Sequence, residues 1–134
     1  MSDHAQRTIR FIRANADVAN ETCTAEVVVE SPGLGSFTGS AQGGISEADQ
    51  LRAVARATAD ALSDAFDAHN AKVRVLGVQV VDAIPHNAVM VTLAASKGTD
   101  NRTLFGICDG ETHDIPKATA LSVLNATNRF LSGR

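Results

Sequence analysis

The stretch LFGICDGETHDIPKATALSVLNATNRFL, from Leu104 to Leu131, reads as a short strand, a glycine-marked turn and one helix, and the stretch from Phe37 to Phe66 follows the same plan. Laid in register, Phe37-Thr38-Gly39-Ser40-Ala41-Gln42-Gly43 covers Leu104-Phe105-Gly106-Ile107-Cys108-Asp109-Gly110, so the glycines coincide before each segment turns into a helix of similar length. This is the pattern of a duplicated unit. Either copy alone would leave the apolar side of its sheet and helix in water, so two copies sharing a core is the physical expectation.

Working outward, the first unit opens with a strand expected from Arg7 towards Val18. A second strand, Cys23 to Glu30, alternates Thr24, Glu26, Val28 and Glu30 on one side with Cys23, Ala25, Val27 and Val29 on the core side. Ser31-Pro32-Gly33-Leu34-Gly35 reads as a hairpin loop, and Ser36 to Ala41 as the third strand. Gln42-Gly43-Gly44-Ile45 breaks the chain before a helix starting near Glu47 with Ser46 as its N-cap. Leu51, Val54, Ala55, Thr58, Ala61, Leu62, Ala65 and Phe66 form the apolar stripe of that helix, with Arg52, Arg56, Asp60 and Ser63 on its outer side.

The second unit repeats the order. Lys72 to Ile84 is a β-branched run, Pro85-His86-Asn87 a turn, Ala88 to Ser96 a strand with Val89, Val91, Leu93 and Ala95 on one face, Lys97 to Asn101 a polar loop, and Arg102 to Cys108 the third strand. Asp114 caps a helix with Pro116 in its first turn, where a missing amide hydrogen costs nothing. This helix carries two stripes: Val123, Leu124, Thr127, Phe130 and Leu131, and a smaller one of Ala118, Leu121, Ser122, Asn125 and Asn128 that either meets a second surface or faces water. The expected fold is α+β: two β-β-β-α repeats at about 7–68 and 72–132 of one domain spanning 1–134, an antiparallel sheet with both helices packed on one side.

Composition narrows the function classes. At 134 residues, with 44% hydrophobic and 20% charged residues, the chain can bury a core and is too apolar for a disordered segment. A net charge of −3, five Phe and neither Trp nor Tyr speak against a nucleic-acid partner, which needs basic surface and stacking platforms. No apolar run approaches the roughly 18 residues that span a bilayer, and MSDHAQRTIRFIR lacks the apolar centre of a secretory signal, so the expected location is the cytoplasm with no membrane partner. Cys23 and Cys108 show no CxxC spacing and read as small hydrophobes.

The doubled β-β-β-α order, the glycines before each helix, and Asp114-Ile115-Pro116-Lys117-Ala118-Thr119-Ala120-Leu121 leading into Asn125-Ala126-Thr127-Asn128 resemble the leucine-feedback regulatory domain of 2-isopropylmalate synthase and the related domain of citramalate synthase. The likeness runs from Arg7 to Leu131 and is carried by Gly106, Asp114-Ile115, Ala118 and Asn128. It implies a dimer that binds an end-product amino acid near the glycine turns and helix starts, with no cofactor. Two departures stand beside it: the first glycine turn lacks the Gly-Pro that often precedes the first helix in the synthases, and the His-x-His metal element of the synthase barrel is absent. Synthase activity is therefore not expected of this chain.

Candidate sites follow from these elements. Gly43, Gly44, Ser46, Gly110, His113 and Asp114 mark the two turn-to-helix junctions, where unpaired amides and the positive helix ends favour the carboxylate of a branched-chain amino acid or related acid. As turn glycines and helix caps the same residues need no ligand. The cluster of Cys108, Asp109, His113 and Asp114 has the chemistry of an acid-base or metal site but lacks a second histidine at ligand spacing, so neither a catalytic nor a metal residue is assigned. Three function classes remain: a stand-alone regulatory module without catalysis of its own, an enzyme or enzyme subunit using the Asp109–Asp114 loop, and a purely structural dimerisation module. A homodimer is expected from the apolar strands and the two-sided second helix, with Leu121 on the contact stripe.

Overall fold

The computed structural model describes residues 9–66, 71–81, 87–109 and 115–132. Along them run β1 (Arg10–Ala19), β2 (Thr22–Ser31), β3 (Gly35–Gly43), α1 (Glu47–Ala65), β4 (Ala71–Val81), β5 (Ala88–Lys97), β6 (Asp100–Asp109) and α2 (Ile115–Ser132). The chain is thus α+β, with the β-β-β-α pattern occurring twice. Its antiparallel strands form two sheets of three: β1-β2-β3, here sheet A, and β4-β5-β6, sheet B.

Local chemistry sets the hairpins. Asn20 and Glu21 hold φ of 53° and 62°, the two positive values of a type I′ turn, so Ala19 pairs directly with Thr22. Between β2 and β3 the Leu34 amide donates to Ser31 O at 3.0 Å across the Pro32-Gly33 turn. The polar loop expected from Lys97 to Asn101 is tighter than the sequence reading: Lys97 pairs with Asp100, and Gly98 at φ 63° supplies the positive angle that a two-residue turn requires at its first position. β4 ends its described course at Val81, and the expected turn at Pro85-His86 lies outside the described residues.

The duplication extends to irregularities. In β1 the pairing with β2 shifts between Phe11 and Arg13, leaving Ile12 as a bulge; in β4 it shifts between Val75 and Gly77, leaving Leu76. Phe11 lies opposite Val29 and Val75 opposite Leu93, equivalent residues on the two central strands. A bulge at the same place in both copies bends each first strand alike.

Gly39 and Gly106 lie inside β3 and β6, within the strands expected at Ser36 to Ala41 and Arg102 to Cys108, opposite Val27 and Val91. A Cβ on Gly39 would run into the α1 backbone at Ala57 and Ala61, and one on Gly106 into the α2 backbone at Ser122 and Ala126. These glycines let a helix lie directly on its sheet, a close approach that any side chain would block.

Each helix also reaches beyond its own sheet. α1 packs on β3 and β2 and then against β4; α2 packs on β6 and β5 and then against β1; the helices also touch each other. Ser63, expected on the outer side of α1, is half-buried: its Oγ accepts from Val73 N at 3.2 Å and donates to Val73 O at 3.4 Å. Its counterpart Asn128 does the same to Ile9, Oδ1 accepting from Ile9 N at 3.3 Å and Nδ2 donating to Ile9 O at 3.4 Å. One turn earlier on each helix, Asp60 Oδ2 accepts from Ser40 N at 3.4 Å and Asn125 Nδ2 donates to Ile107 O at 3.1 Å. Each helix thereby presents an i, i+3 polar pair that ties the last strand of its own sheet to the other sheet, at Val73 in β4 or at Ile9 just before β1. The bonds cover edge-strand groups that would otherwise be open.

The core that results is shared. Cys23, Ala25, Val27 and Val29 of β2 and Val91 and Leu93 of β5 join Val54, Leu62, Val123 and Leu124 of the helices in one cluster. The expected stripe on α1, from Leu51 to Phe66, is buried throughout. On α2 the smaller stripe runs from core to surface: Ala118 and Ser122 are buried, the Ser122 hydroxyl donating towards Val89 O and Ala118 O, both at 2.9 Å, Leu121 and Asn128 are half-buried, and Asn125 is exposed. The second surface α2 meets is its own chain, and Asn125 and Asn128 are bound there.

Candidate ligand site at the helix starts

Ser46 caps α1 as the sequence predicts, its Oγ accepting from Asp49 N at 3.1 Å. Gly43 closes β3, and Gly44 follows it with the Asp49 carboxylate lying where a Gly44 side chain would begin. The chain's own anion therefore stands beside the glycine pair expected to receive a ligand carboxylate, and Glu47 adds a second negative charge in the same turn. Gly110, His113 and Asp114 lie outside the described residues, as does most of the Asp109–Asp114 loop.

The helix starts do share a cavity. A space of about 320 Å³ is lined by Glu47, Gln50, Leu51 and Val54 of α1, Pro116 of α2 and Ala16 of β1. Leu51 and Pro116 are counterparts in the repeat, so this cavity lies where the two units meet. Its floor is apolar: Ala16, Leu51, Val54 and Pro116. Its polar side chains are the Glu47 carboxylate and the Gln50 amide, whose nitrogen donates one of its two hydrogens to Ile45 O at 2.7 Å. Such a space receives an aliphatic group and a cationic donor.

Sequence reasoning located the helix starts and Ser46 but missed Ala16 and Gln50. Nothing local marks Ala16, which reaches the site through the bulged course of β1. Leu51 and Val54 were legible as core positions, and only the packing of the helices leaves part of them facing a void.

Nucleophilic chemistry finds little support among the described residues. Cys23 is fully buried on β2, and burial, with the Asp17 charge as a smaller contribution, raises its thiol pKa, so the reactive thiolate is disfavoured. No disulfide joins it to Cys108. Among the described residues no three His, Cys, Asp or Glu side chains are grouped to hold a metal ion. No helix among them is long and apolar enough to cross a membrane. Comparison with models of known protein families finds no match, and comparison with curated proteins finds no significant one.

Proposed function

We propose that this protein is a cytoplasmic regulatory module that binds a branched-chain amino acid between its two repeats, without catalysis of its own. The observation that carries the reading is the cavity shared by the first turns of both helices, lined by apolar Ala16, Leu51, Val54 and Pro116 together with the Glu47 carboxylate. The resemblance to the feedback domain of 2-isopropylmalate synthase supports the same region. Glu47 refines the ligand: a zwitterion offers it an ammonium group, whereas a 2-oxo acid brings only repulsion, about 1 kcal/mol for charges roughly 4 Å apart in water.

Calorimetric titration tests this with leucine, isoleucine and valine and their 2-oxo acids, on the wild type, Glu47→Gln and Ala16→Leu. The wild type is expected to prefer the amino acids, Glu47→Gln to narrow that preference, and Ala16→Leu to fill the cavity and lose binding. Absence of amino-acid binding to the wild type at millimolar concentration would sink the proposal.

The module's proposed state is a homodimer. Supporting it, Phe105 and Ile107 are 62% and 54% exposed on adjacent outward positions of β6, while the matching positions of β3 are Thr38 and Ser40. Large apolar side chains exposed on one sheet, where the equivalent sheet has small polar ones, suit a second copy of itself.

A further inference from the structure

The two repeats differ where their charges are balanced. In sheet A, Arg10 of β1 faces Glu30 of β2 and pairs with it at 3.4 Å; Arg13 pairs with Glu26 at 3.5 Å. In sheet B, the counterpart of Arg10 is Arg74, and the residue facing it is Ala94. The counterpart of Glu26 is Met90, so both acids of the central strand are gone. Lys72 adds a second cation two residues away, opposite Ser96. Neither Lys72 nor Arg74 forms an ion pair among the described residues.

Space stands where the missing carboxylate would be. A cavity of about 770 Å³ is lined by Lys72, Arg74 and Arg102, by Ala94, and by the polar side chains of Ser63, Ser96, Asn101 and Thr103. Among the described residues no acidic side chain lines it. Arg102 is partly committed, its Nε donating to Asp100 Oδ1 at 3.3 Å and its guanidinium lying 5.5 Å over the Phe130 ring, which fixes that cation at the border. In a chain of net charge −3, three cations, only Arg102 of them paired among the described residues, around a hollow with no acid in its described lining are a local excess of positive charge.

We propose that this hollow on sheet B is a second binding site, for a small multiply charged oxyanion, a phosphate ester or a di- or tricarboxylate. One anionic group takes the place opposite Arg74 that Glu30 holds opposite Arg10. The guanidinium fork binds it through two parallel donors, Lys72 adds a point charge, and Ser96, Asn101 and Thr103 supply hydroxyl and amide bonds. This site is separate from the amino-acid cavity and shares no lining residue with it.

The test is titration of inorganic phosphate and of citrate into the isotopically labelled full chain, followed by amide NMR shifts at low and at physiological ionic strength. Saturable shifts are expected at Lys72, Arg74, Ser96 and Asn101 to Thr103, weakening as salt screens the charges. Tighter citrate assigns the carboxylate source, tighter phosphate the phosphoryl one. Arg74→Ala is expected to lower affinity by about tenfold. Ala94→Glu, which rebuilds the ion pair of sheet A, is expected to abolish binding while leaving the remaining spectrum in place, and Arg10→Ala to leave affinity unchanged. Non-saturating shifts spread over the surface, or affinity indifferent to both Arg74→Ala and Ala94→Glu, would overturn the proposal.

Discussion

Glycines 39 and 106 set the spacing between helix and sheet in each unit, because the space a methyl group would need is occupied by helix backbone. Backbone cannot swing aside as a side chain can, so Gly39→Ala or Gly106→Ala must push a helix outward and loosen the contacts beneath it. The expected cost is about 3 kcal/mol, the upper part of the overpacking range. Gly77, by contrast, has open space around its missing Cβ, and Gly77→Ala is expected to be neutral within about 0.5 kcal/mol or slightly stabilising, since alanine loses less backbone freedom in a strand. Chemical denaturation of the three variants separates the cases. A Gly106→Ala protein as stable as Gly77→Ala would show that the helix can give way.

At the scale of elements, the i, i+3 polar pairs make each helix a bridge. Asn128 satisfies both backbone groups of Ile9, a residue only 2% exposed, and Ser63 does so for Val73. Asn128→Ala removes two bonds at once and leaves an amide and a carbonyl without them in a nearly dry place, at about 2 kcal/mol. Ser63→Ala is expected to cost about 1 kcal/mol, since its single hydroxyl makes one 3.4 Å bond and one of 3.2 Å. The two residues lie on different helices and share no partner, so the double variant should lose the sum. Hydrogen exchange is the more pointed measurement: the Ile9 amide should lose protection in Asn128→Ala and keep it in Ser63→Ala. Equal loss in both would mean that the edges are held by sheet packing alone.

For the molecule as a whole, the same duplicated frame carries two different outer faces. Sheet A is laced with Arg10–Glu30 and Arg13–Glu26 pairs, which are exposed and contribute little to stability but keep that face wet. Sheet B exposes Phe105 and Ile107 beside the partly buried Met90, the arrangement behind the proposed homodimer. Phe105→Asp is expected to shift the protein to monomer in light scattering at micromolar concentration, because it places a charge in the middle of the apolar face. Leu121→Asp, aimed at the stripe that the sequence alone nominated for the interface, is expected to lower stability instead, since Leu121 packs against the core. A wild type that is monomeric throughout that concentration range would remove the dimer.

The amino-acid sequence by itself determined the order of elements, the duplication and the core faces of β2 and β5, because alternation and three- and four-residue spacing are written locally in Cys23 to Val29, Val89 to Ala95 and Leu51 to Phe66. The N-cap at Ser46 was legible for the same reason: its bond closes within one turn. The tertiary structure alone decided what lies between elements distant in sequence. The need for glycine at Gly39 and Gly106 shows only when a helix is laid across their strands, and Ser63 looks solvent-facing until β4 arrives beside it. Division into two sheets, the cavity joining Ala16 to both helix starts, and the acid-free hollow around Arg74 arise from contacts spanning tens of residues. No local pattern encodes such contacts; they form because each helix buries more surface, and satisfies more edge groups, by touching both sheets than by covering one.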